Sequence, residues 1–216
     1  MNSPARIRAP LKILLASLNP GKLREYRHLA GDSPVELDLI PNLRDLPAFD
    51  ESAPTFAENS AGKALHYSRL VNETVLADDS GLVVPALDGA PGVRSARYAG
   101  PDATDADRVS KLLGEMRGKE GDERRARFVC VIAIARQRRA SAIVSDSAEG
   151  VLTTEPRGSD GFGYDPIFLF PELRRTFAEL SQEEKNRHSH RGKAFRKILA
   201  LLTTENSTTP FADPRI

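Results

Sequence analysis

Apolar and polar positions follow two rhythms along this chain, one close to the helical repeat and one of two residues. Lys12-Ile-Leu-Leu-Ala16 is a nearly unbroken apolar run and predicts a buried first strand. Over residues 20–30, Leu23, Tyr26 and Leu29 recur on one face of a predicted helix. Val35, Leu37 and Leu39 then alternate with Glu36 and Asp38, the pattern of a half-buried strand. A loop carrying Pro41, Pro47 and Pro54 leads to a helix predicted over 55–70, opened by the capping box Thr55-Phe-Ala-Glu58. A strand follows near 77–85, a helix over about 105–116, and paired strands over 128–136 and 141–147 around Gln137-Arg-Arg. Residues 166–170 supply another strand. The capping box Ser181-Gln-Glu-Glu184 starts a helical stretch that runs, with a break, to residue 202.

Strands alternating with helices predict an α/β fold, and the hairpin makes the sheet mixed rather than all parallel. With 216 residues the chain has room for one well-cored domain, placed at 12–202. Residues 1–11 carry arginines with no signal-type apolar core behind them, and 203–216 are polar and proline-punctuated, so both ends are expected to be flexible tails. Lysine and arginine total 31 against 30 acids, which argues against a general nucleic-acid coat or a polybasic membrane binder. Cys130 is the single cysteine, so an intrachain disulfide is excluded and the thiol is expected in the core. The apolar run around it is too short to span a membrane. The expectation is a cytoplasmic, enzyme-sized domain.

The chemistry concentrates in Ala77-Asp-Asp-Ser-Gly-Leu82, two acids and a hydroxyl between apolar runs. A buried carboxylate needs a partner or a metal. Neighbours on an extended strand point to opposite faces, so one aspartate can anchor structure while the other faces a cleft and takes a divalent cation. The alternative is a strand that ends at the acids in an Asp-Ser turn.

Three further segments carry candidate groups. In Ser17-Leu-Asn-Pro-Gly-Lys22, Asn19 suits a helix N-cap, Pro20 the first helical position, Gly21 a close backbone approach, and Lys22 adds charge; together they suit a phosphate, or else a simple capped helix. Asn59 and Lys63 share a helix face. In Gly158-Ser-Asp-Gly-Phe-Gly-Tyr-Asp165, glycines around Phe162 free the backbone to present an aromatic face beside Tyr164 and Asp165, as a nucleobase pocket requires; a core-anchoring turn is the alternative. Lys185, His190 and Arg191 concentrate donors where Ser189 can cap a new helix. His188 and His190 lack further ligands at zinc spacing.

In this order the segments resemble the inosine triphosphate pyrophosphatase family, over roughly residues 12–202. Gly92-Val-Arg-Ser-Ala-Arg-Tyr-Ala-Gly100, Thr176-Phe-Ala-Glu-Leu180 and Ser189-His-Arg-Gly-Lys-Ala194 add to the match. The resemblance implies an elongated mixed twisted sheet, with helices forming two lobes around a central nucleotide cleft. It implies a Mg2+-dependent homodimer that hydrolyses ITP, dITP and XTP to the monophosphate and pyrophosphate. By it, Ser17, Leu18, Asn19, Pro20, Gly21 and Lys22 hold the triphosphate with help from Lys63 as a catalytic group. Asp79 is the acid-base residue and metal contact, and Ser80 touches substrate. Phe162, Gly163, Tyr164 and Asp165 surround the base, while Lys185, His190 and Arg191 complete base and phosphate recognition. Many relatives carry a metal-binding acid directly after the proline of the loop before Thr55. Here Pro47 is followed by Ala48, with Asp50 and Glu51 beyond it, so that metal position is left unassigned.

Overall fold

The computed structural model describes residues 10–31 and 33–205. β1 (Leu11–Leu15), α1 (Pro20–Ala30) and β2 (Val35–Leu39) form a βαβ unit, and α2 (Phe56–Tyr67) returns the chain to β3 (Thr74–Val83) on the other side of β1. Both pairings with β1 are parallel. After α3 (Asp105–Glu115), β4 (Arg125–Arg136) and β5 (Arg139–Leu152) continue the sheet antiparallel to β3 and to each other. The short strands β6 (Phe168–Phe170) and β7 (Arg175–Thr176) complete a seven-stranded sheet of order β2-β1-β3-β4-β5-β6-β7. α4 (Gln182–His188) and α5 (His190–Glu205) follow. The mixed α/β sheet expected from the sequence is therefore present.

β1 reads as a continuous apolar run because both of its faces are covered. Ile13 and Leu15 join Tyr26 of α1 and Phe195 and Ile198 of α5 on one side. Leu14 and Ala16 join Ala64 and Tyr67 of α2 on the other. A third apolar cluster lies further along the sheet, where Val109 and Leu112 of α3 pack with Leu82, Phe128, Phe168 and Phe177.

Several boundaries differ from the expectation. β3 begins at Thr74, ahead of the expected residue 77, and runs through the acids as the strand reading has it rather than ending there in a turn, in register with β4 through Asp78↔Ile132, Asp79↔Val131, Ser80↔Cys130 and Gly81↔Val129. Continuous antiparallel pairing with β4 overrides the local preference of Asp-Ser-Gly for a turn. α2 ends at Tyr67 instead of residue 70. β4 begins earlier than expected because exposed Arg125 and Arg127 alternate with buried Ala126 and Phe128. Gln137 and Arg138 form the two-residue hairpin turn, both with positive φ (48° and 67°), the geometry that matches strand twist. The helix break falls at Ser189, whose Oγ accepts from the Gly192 amide at 3.1 Å. β1 starts at Leu11 and α5 reaches Glu205; the remainder of both expected tails lies outside the described residues.

Candidate active site

The strand pleat divides the two aspartates. Asp78 shares the face of Leu76 and meets α1 and α5. Its carboxylate, fully buried, accepts from Lys22 Nζ at 2.6 Å and from Arg191 Nε at 3.0 Å. Burial pushes its pKa up, but Lys22, Arg191 and Lys63 outweigh burial and hold it well below the usual carboxylate range. Asp79 shares the face of Ala77 and meets α2, where Asn59 Nδ2 donates to its Oδ2 at 3.0 Å. No cation bonds it directly among the described residues. Burial dominates there, the neighbouring Glu51 charge adds to it, and its pKa is raised. One aspartate is thus locked into the fold by two cations, and the other faces the cleft with no cation bonded to it.

Around Asp78 lies a buried ionic hub. Arg191 also bonds Glu25 and reaches Ser80 Oγ at 2.8 Å. Lys185 bridges Glu25 and Asp165. Lys22, Lys185 and Arg191 therefore face Asp78, Glu25 and Asp165, a charge-neutral set that satisfies the condition for burying ions at all. Burial and the nearby Glu25 push Asp165 up against the pull of Lys185, whereas Glu25, bonded by two cations, is held low.

His190 opens α5 and stacks on Phe128 at 4.7 Å with rings nearly parallel (9°). Burial and the charges of Arg191 and Lys185 drive its pKa well below 6.5, so the imidazole is neutral. Its Nδ1 has no hydrogen-bond partner among the described residues.

The cleft beside Asp79 encloses about 120 Å³. Of the residues singled out in the sequence, Asn19, Lys22, Asp79, Ser80, Phe162, Gly163, Tyr164, Asp165, Lys185, His190 and Arg191 line it. Ser17, Leu18, Pro20, Gly21 and Lys63 do not. The first-turn amides of α1 are not open either: Asn19 Oδ1 accepts from Gly21 N (2.8 Å) and Lys22 N (3.2 Å). Ser17 Oγ accepts from the Asn19 amide, and Leu18 is 59% exposed. Gly21 serves the aromatic ring instead, since a Cβ there would stand 2.6 Å from Phe162 Cδ1. Lys63 is one step back from the cleft, its Nζ 2.7 Å from Glu51 Oε1.

Phe162 sits between Gly21 and the cations Lys185 (4.9 Å to the ring centroid) and Arg191 (5.5 Å). Its loop is pinned twice: Asp165 Oδ2 accepts from the Phe162 amide at 2.8 Å, and Asp105 Oδ2 accepts from the Gly163 amide at 2.7 Å. Tyr164 is a latch, its hydroxyl donating to the Ser95 carbonyl at 3.0 Å.

The sequence reading missed Glu25, Phe128, Asp105 and Arg108. Glu25 sits within Leu23-Arg-Glu-Tyr26, where its place directly before the buried Tyr26 was the available signal. Asp105 stands at the first turn of α3, where an acid is ordinary. Of the two acids left open, Asp50 bonds Ser52 Oγ, whereas Glu51 lines the cleft.

Asp79 and Glu51 together offer two carboxylates to the cleft; Lys63 bonds Glu51, while Lys22 and Lys63 reach Asp79 only through their charge. That is the donor set a hard divalent cation takes when substrate oxygens and water complete its shell.

Comparison with known proteins shows which family the chain belongs to. The Ham1 family model matches residues 13–201. A dITP/XTP pyrophosphatase of Geobacillus kaustophilus is 47% identical over 187 residues, covering 87% of this chain and 92% of that protein. The solved Ham1 protein of Staphylococcus aureus superposes with a TM-score of 0.78 at 37% identity, over 90% of this chain and 99% of that one. A HAM1 protein of Coxiella burnetii gives 0.78 at 44% identity, with the same coverage. The likeness read from ordered motifs thus extends to sequence and fold along nearly the whole chain, and the protein belongs to the Ham1 family.

Proposed function

We propose that the protein hydrolyses the non-standard purine nucleoside triphosphates ITP, dITP and XTP to the monophosphate and pyrophosphate, with Mg2+ as its metal. The observation that carries the reading is the division of labour between Asp78, neutralised by Lys22 and Arg191, and Asp79, left without a bonded cation in the cleft. The names of the relatives support the substrate class. Asp79 and Glu51 would hold the cation, which when bound neutralises charge developing on the phosphates. Asp79 accepts a proton from the attacking water, whose oxygen bonds to the α-phosphorus as the α–β bridging bond breaks. The electron pair leaves with pyrophosphate. A carboxyl raised by burial is a better base for that step than an ordinary one. Lys22 lines the phosphate end, and Lys63 holds Glu51 in place.

We assign the base end to Phe162, Asp165, Lys185, neutral His190 and Arg191, all of which line the cleft. Hypoxanthine and xanthine present O6 and a protonated N1; adenine presents an amine and a bare N1. Donors directed at O6 meet another donor on adenine, and each buried polar group left unpaired costs about 1–3 kcal/mol. Two mismatches give roughly 100-fold discrimination or more. The cleft is open to solvent on one side, so a nucleotide can enter from there. We place the catalytic domain at residues 12–202, two lobes closing on the nucleotide, acting as a cytoplasmic homodimer without nucleic-acid or membrane partners. No helix among the described residues is long and apolar enough to cross a membrane.

The test is a product assay with purified protein, Mg2+ and ITP, XTP, dITP, GTP or ATP separately, resolved by ion exchange. Conversion of ITP or XTP to monophosphate plus pyrophosphate, with ATP and GTP nearly untouched, is expected. Diphosphate plus orthophosphate would move attack to the γ-phosphorus and overturn the mechanism.

A further inference from the structure

The segment Gly92–Arg97 forms a 3₁₀ turn against β3 and has no part in the mechanism so far. Ser95 fixes it there: its Oγ accepts from the Leu82 amide at 2.9 Å and donates to the Gly92 carbonyl at 2.7 Å. That anchorage directs Arg97 into the cleft wall, where its Nη2 donates to the Glu51 main-chain carbonyl at 2.8 Å.

The charge inventory of the wall makes this contact informative. Lys22 is bonded to Asp78, Arg108 to Asp105, Lys185 to Glu25 and Asp165, and Arg191 to Glu25 and Asp78. Lys63, behind the wall, is bonded to Glu51. Among the described residues, Arg97 is the cleft-lining cation with no carboxylate partner. Its one hydrogen bond goes to a neutral carbonyl, on the residue whose side chain stands with Asp79. A guanidinium placed there keeps donors for the paired oxygens of a phosphate.

We propose that Arg97 is a substrate-contacting residue that exchanges the Glu51 carbonyl for the β- and γ-phosphates and stabilises the departing pyrophosphate. This rests on the pyrophosphatase reading. A triphosphate brings more negative charge than one divalent cation neutralises, and the other wall cations are already committed to carboxylates. The contact given up is one hydrogen bond to a neutral carbonyl, so the incoming phosphates need only displace that acceptor.

The experiment uses the full chain with Arg97→Gln and Arg97→Lys. Arg97 is exposed, so both variants are expected to fold and to melt with the wild type. With ITP at a Mg2+ concentration that saturates the wild type, R97Q is expected to lose about 10²-fold in kcat, the loss typical of removing one transition-state donor. R97K keeps the charge without the fork and falls between. Calorimetric binding of Mg2+-pyrophosphate should weaken at least tenfold in R97Q while binding of IMP stays within twofold. This second readout needs no turnover, so it separates failure of the Arg97 assignment from failure of the pyrophosphatase reading. If raising Mg2+ restores R97Q to wild-type kcat, Arg97 merely holds the Glu51 loop and the assignment is wrong. Unchanged pyrophosphate affinity in R97Q, or no pyrophosphate binding by the wild type, overturns it equally.

Discussion

Replacing Asp78 by Asn and Asp79 by Asn should separate stability from activity in two adjacent residues. Asp78 is fully buried and bonded to two cations, Lys22 and Arg191. Asparagine keeps the shape but removes the charge, leaving two cations in or near the interior short of an acid. Removing one partner of a buried ion pair costs about 3–5 kcal/mol. Arg191 retains Glu25, and the Lys22 side chain is 14% exposed and can turn toward water, so the lower figure, about 3 kcal/mol, applies. For a chain of 216 residues that corresponds to a fall of roughly 6–12 °C in Tm. Asp79 already resists ionisation because of burial, so D79N should leave Tm unchanged or slightly raised while turnover collapses. The chain has no tryptophan, so melts are best followed by circular dichroism or calorimetry, with ITP turnover measured on the same preparations. D78N melting within 2 °C of wild type would refute the anchoring role. D79N destabilised as much as D78N would show that the faces do not divide the work as described.

Glu51→Gln should raise the Mg2+ concentration for half-maximal activity at least tenfold, read from metal titrations at fixed ITP, whereas Asp50→Asn should not. Asp105→Ala should release the Gly163 amide and raise KM for ITP several-fold with kcat within about twofold, a loss near that of one hydrogen bond to a charged group; Asp105→Asn keeps an acceptor and should recover most of it. His190 is neutral when folded because burial and Arg191 depress its pKa, but the unfolded chain takes up a proton below about pH 6.5. Its contribution is therefore complete above pH 6.5 and lost as pH falls, by about 1.4 kcal/mol per unit until the folded pKa is reached. Between pH 7 and 5, Tm of the wild type should decline more steeply than that of His190→Gln, and parallel slopes would contradict the neutral assignment.

Much of this protein is legible in its sequence because the signals are local. The apolar run of β1, the helical repeat of α1, the caps at Asn19, Thr55 and Ser181, and the break at Ser189 each depend on neighbours a few residues away. The period-two geometry of a strand likewise requires adjacent Asp78 and Asp79 to point apart. What the sequence leaves open is which of them is anchored. That depends on Lys22, 56 residues earlier, and Arg191, 113 residues later. Glu25 looks like an ordinary helix acid until α4 and α5 bring Lys185 and Arg191 against it. Ser17 and Leu18 sit in the expected phosphate segment, yet the chain path leaves them outside the cleft wall. Arg97 sits in a conspicuous motif, but only the folded wall shows that every other cation lining it already has its acid. Secondary structure follows from short-range sterics and burial patterns. The pairing of charges in the interior is a sum over segments far apart in the chain, and only the tertiary structure closes it.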